Sequence, residues 1–172
     1  MKKVIAVLLS IICVISVSAC SFRSSENTKE KIANVLALEL SEASFATTID
    51  SHGGFHGDGT SLMQFGFSND SCEEQIQSNA IWKPLPLTEN LAALVYGIRS
   101  ETTAIGPYIT FDDAGTPAFP VIENGYYFFL DRHSDSADAH DDTNVLARPS
   151  YNLTIAMYDA DTDILYYCEF DT

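Results

Sequence analysis

Positive charge is scarce in this chain: nine lysines and arginines stand against 24 aspartates and glutamates, a net charge of −15 over 172 residues. Nucleic acid is therefore not an expected partner, because binding it needs a basic face that displaces counterions. The same deficit disfavours flat adsorption on anionic lipid and makes divalent cations and basic proteins the partners that charge favours. Long apolar runs are missing too. The main one, Val4 to Val17, falls short of the roughly 20 residues a membrane-spanning helix needs. There is no glycine-rich phosphate loop, no serine in a GxSxG setting and no alternating βαβ pattern, so neither a nucleotide-binding parallel sheet nor a nucleophile-elbow hydrolase is expected. Internal repeats and low-complexity tracts are absent as well.

The apolar run has a different meaning at the start of a chain. Met1, Lys2 and Lys3 supply a charged region, Val4 to Val17 an apolar one, and the segment closes on Val17-Ser18-Ala19-Cys20. That pattern is a secretory signal rather than part of a folded domain. Its last four residues resemble the lipobox of bacterial lipoproteins: a branched apolar residue, two small residues and a cysteine. The resemblance implies cleavage before Cys20 and a diacylglycerol on its thiol, which supplies the two acyl chains that stable anchoring requires. The expected location is the cell membrane, lipid-anchored and facing outside the cytoplasm. Residues 1–19 are then the signal and 20–27 a short tether. At about 3.5 Å per residue, Ser21 to Asn27 reach no more than about 25 Å, which keeps the domain close to the membrane.

Of the four cysteines, Cys13 leaves with the signal and Cys20 is the lipid site. Cys72 and Cys168 remain, either as a disulfide or as two buried thiols. Sequence does not supply the distance that decides between them. Cys72 begins a helix, but two adjacent glutamates oppose the lowered pKa a nucleophile needs.

The remainder, 28–172, reads as a single α+β domain with an antiparallel sheet of about five strands and about three helices packed on it. Ile32, Val35 and Leu36 lie on one helical face over 28–38, opposite Lys29, Glu30 and Lys31. "SFATTID" and "SLMQFGF" alternate as strands. Ser71 to Glu74 has the spacing of a capping box. Pro84 and Pro86 argue against regular structure in "IWKPLPL". Thr88 caps a helix with Leu91, Leu94 and Val95 on one face, stopped by Gly97. The stretch 98–119 is too long for a plain loop and either hides a short strand or is a functional flap. "YYFFLDR" is apolar on both faces, as in a covered strand, and "YNLTIAMY" and "ILYYCEF" form a hairpin across "DADTD". Through "HGGFHGDG", "NGYYFF" and "DRHS" the body resembles uncharacterised small lipoproteins of Gram-positive bacteria, a resemblance that implies no activity.

Two stretches concentrate chemistry. In "DSHGGFHGDG", Asp50 to Gly59, the residues His52, His56 and Asp58 are competent ligands for a divalent metal, zinc above all, with Asp50 able to orient an imidazole. The alternative is a hairpin turn whose glycines provide positive φ. In "DRHSDSADAHDDT", Asp131 to Thr143, Asp131 and His133 share one strand face, and His133 completes the metal set with His52 if their strands are neighbours. Arg132 points the other way, toward a local aspartate. Asp138, Asp141 and Asp142 offer carboxylates for calcium, against a solvated acidic loop. The expected function is a membrane-anchored binding or interaction module without catalysis, its partner a surface protein or envelope ligand. The alternative is a metal-dependent, hydrolase-like enzyme centred on the histidine loop.

Overall fold

The computed structural model describes residues 26–52, 57–112, 114–133 and 138–172. The chain divides into two compact units, Met1–Glu42 and Ala43–Thr172. In the first, helix α1 covers 26–36. Ile32 and Leu36, one turn apart, are buried, whereas Val35 is 37 % exposed, so the buried stripe is narrower than the sequence suggests. Lys29 is buried rather than on the polar side; its ammonium lies 3.5 Å from Glu26 and donates to the Ser41 carbonyl at 3.4 Å.

The second unit is α+β, built on a six-stranded antiparallel sheet: β1 Ser44–Asp50, β2 Gly59–Gly66, β3 Lys83–Pro84, β6 Gly125–Asp131, β7 Asn152–Asp159 and β8 Ile164–Asp171, in the spatial order β1-β2-β8-β7-β6-β3. Two helices accompany it, α2 Ser71–Gln77 and α3 Glu89–Val95. Alternation sorts the side chains by face. Leu153, Ile155 and Met157 pair with Phe170, Cys168 and Tyr166 and join Leu62, Tyr127 and Phe129 in one core, against which Leu91, Leu94 and Val95 of α3 pack. The opposite face carries Thr154, Ala156 and Tyr158 opposite Glu169, Tyr167 and Leu165. On that side Trp82 packs on Phe128, with ring centroids 5.6 Å apart, and Gln77 of α2 donates to the Tyr126 hydroxyl. Both faces of β7 and β8 are buried, which explains their high apolar content.

Several elements differ from the sequence expectation. The sheet has six strands because Lys83–Pro84 pairs with Tyr127 and Tyr126 at its edge. Proline is tolerated there, since an edge strand needs ladder donors on one side only. Helix α2 starts one residue earlier than the capping-box spacing implies: its cap is Asp70, without a side-chain cap bond, and the Ser71 amide donates instead to Asn69. Thr88 does cap α3, accepting from the Leu91 amide at 3.2 Å, and Gly97 follows its last turn at φ +75°. The 98–119 stretch contains a small hairpin, β4 Ile98–Arg99 with β5 Ala104–Ile105, and an isolated bridge between Thr110 and Pro117. Among the described residues no helix is long and apolar enough to cross a membrane.

Candidate functional site

The glycine-rich stretch connects β1 to β2, which pair antiparallel from Ser44↔Gly66 to Asp50↔Ser61. A bulge between Thr47 and Ile49 shifts the register, so Ile49 comes opposite Leu62 and packs against the core while Asp50 turns to the other face. Ser51 extends the ladder by one step: its amide donates to the Thr60 carbonyl at 2.9 Å, and its Oγ accepts from the Thr60 amide at 2.8 Å. His52 then leaves the strand directly over the end of β8. Gly59, opposite Asp171, is what permits this: a Cβ there would lie 2.6 Å from the Cα and backbone nitrogen of His52.

The imidazole of His52 sits between two carboxylates. Its Nδ1 is 3.1 Å from Asp50 Oδ1, which also accepts the His52 amide, and its Nε2 is 3.2 Å from Asp171 Oδ2. An ionised carboxylate only accepts, so both contacts are hydrogen bonds when the ring donates from each nitrogen. Asp171 is shared. Its other oxygen takes Arg132 Nη2 at 2.7 Å, and the same nitrogen donates to the Leu153 carbonyl. Three strand ends are thereby tied at one rim: β1 through His52, β8 through Asp171 and β6 through Arg132, whose amide also bonds Asn152 at the start of β7.

This arrangement decides where each expected ligand stands. His52 and His133 are not on neighbouring strands, because β2, β8 and β7 lie between β1 and β6. The residue that spans the gap is Arg132, whose partner is Asp171 rather than a local aspartate. β6 ends at Asp131, whose Oδ1 accepts the His133 amide at 3.0 Å, so the strand alternation that would align Asp131 with His133 stops there. Asp131 is buried and bound by Arg148 Nη1 at 2.6 Å. Asp58 is exposed, and His56 lies outside the described residues. Among the described residues no three histidine, cysteine, aspartate or glutamate side chains are grouped to hold a metal ion. At His52 the two carboxylates lie at opposite ring nitrogens, Asp50 at Nδ1 and Asp171 at Nε2.

Within the acidic stretch, residues 138–143 bond to one another. Asp138 accepts the His140 amide at 2.9 Å, and Asp141 takes both the amide and the hydroxyl of Thr143. Those two donors hold the Asp141 carboxyl below its ordinary range. Asp142 is buried and accepts the Thr88 hydroxyl at 2.5 Å, joining the loop to the start of α3. The three carboxylates considered for calcium are thus directed to separate protein donors. Cys72 and Cys168 are free and buried, not bridged. Cys72 sits at the start of α2, and burial pushes its thiol up to about 12; Cys168 lies in β8 within the core, where burial also raises it. Cys20 lies outside the described residues.

Asp171 and Arg148 were not legible as site residues. Each is a single charged residue at a strand end or in a loop, and what signals its role is a partner 39 or 17 positions away. On the same rim Tyr108, Tyr151 and Phe170 form a run of rings with centroids 5.7 and 5.6 Å apart. Tyr151 and Phe170 are buried, while Tyr108 is 42 % exposed. Exposed too are Ile98, Phe111 and Val121, all in the connection from α3 to β6. Compared with protein-family models, with curated proteins and with solved structures, the chain matches none of them.

Proposed function

We propose that the chain is a lipid-anchored, extracytoplasmic binding or interaction module held at the cell membrane through Cys20. The observation that carries this reading is the charged and apolar start closing on Val17-Ser18-Ala19-Cys20, since a diacylated cysteine anchors a domain without a spanning helix. The surface supports the binding part. Ile98, Tyr108, Phe111 and Val121, with exposures from 38 to 78 %, all lie in the connection from α3 to β6, and exposed apolar groups that share a surface mark interaction sites. The polar chemistry points the same way: His52, Arg132 and Asp171 hold strand ends together, and Asp131 holds Arg148 of the connection between β6 and β7. The favoured partner is a surface protein or envelope ligand, with a basic partner preferred by the net charge of −15.

The test is made in a bacterial host that processes lipoproteins. The wild-type chain is expected in the membrane fraction and accessible to protease added outside intact spheroplasts. Cys20→Ser is expected to lose acylation and this anchoring, and equal membrane association of the two would contradict the anchor. For the binding part, Tyr108→Ser with Phe111→Ser is expected to keep the fold, seen as an unchanged circular-dichroism spectrum, while abolishing the adducts that wild type forms on whole-cell crosslinking. Identical adduct patterns would contradict the role given to this surface.

A further inference from the structure

We draw no further inference here: the strongest candidate, the exposed apolar side chains Ile98, Tyr108, Phe111 and Val121 in the connection between α3 and β6, carries nothing beyond the reading above because nothing in the structure shows what covers them.

Discussion

Asp171 meets two side chains that arrive from different parts of the sheet, the His52 imidazole on one oxygen and the Arg132 guanidinium on the other. Replacing it with asparagine keeps the size and removes the charge, so both bonds weaken at once. With Asp171 17 % exposed and Arg132 33 % exposed, solvent screens part of the gain, and Asp171→Asn is expected to cost about 1–2 kcal/mol in urea unfolding. Asp50→Asn, which touches only the more exposed side of His52, is expected to cost less. Equal costs would mean that Asp171 is not shared in solution. Gly59→Ala tests the backbone below the same histidine. The added methyl would meet the His52 backbone at 2.6 Å, and because backbone yields less easily than a flexible side chain the expected loss is about 2 kcal/mol. A neutral result would show that His52 does not come this close to β2.

Helix α3 is joined to the acidic loop at its first turn: Thr88 caps the Leu91 amide and donates to the buried Asp142, and the Asn90 side-chain amide donates to the Asp142 and Thr143 carbonyls. Thr88→Val keeps the shape and removes both bonds, leaving Asp142 with one donor fewer, and is expected to lose about 1–2 kcal/mol. Thr88→Ser should recover most of it; the midpoints of denaturant unfolding for the two variants check this. Within α3, Leu94 is fully buried in the core, so Leu94→Ala is expected to cost about 2–5 kcal/mol. These element-level features were the ones legible in sequence. Thr88, Gly97 and the apolar face of α3 carry local signals, and so do the alternation in β7 and β8 and the glycines between β1 and β2. What was not legible depended on the neighbour. The two residues of β3 become a strand only because β6 offers an edge, and α2 takes its cap from Asp70 although the Ser71–Glu74 spacing fits a capping box. Of the candidate metal set, His52 and His133 are kept apart for the same reason. Strand order is a non-local property, and it puts Asp171 and Arg132, not His133, at that histidine.

Across the whole molecule, weak acids are buried in the sheet and its coverings. Burial raises the thiols of Cys72 and Cys168, and burial together with a carboxylate acceptor raises the phenols of Tyr158, which donates to Asp163, and Tyr167, which donates to Glu169. All four shifts have one sign. A group whose pKa is higher folded than unfolded adds stability that is complete below the unfolded value and is lost as pH rises above it. The ordinary values are 9.0 for the thiols and 10.0 for the phenols, so stability is expected to hold to about pH 9 and then fall, each group contributing up to about 1.4 kcal/mol per pH unit. Urea midpoints from pH 7 to 11 measure this, and a flat profile would contradict the burial of these groups. The same burial predicts that neither thiol reacts with a maleimide in the native protein at pH 7, while both do in urea without reductant. One free thiol or none in the unfolded chain would indicate a bridge. At this scale the central claim is that a strongly acidic α+β domain is presented outside the cytoplasm on a lipid anchor. The most direct measurement is intact mass spectrometry of the chain recovered from membranes of a lipoprotein-processing host. The expected result is a chain beginning at Cys20 and carrying the added mass of a diacylglyceryl group; a chain with an unmodified Cys20, whether still joined to residues 1–19 or cut elsewhere, would contradict the account.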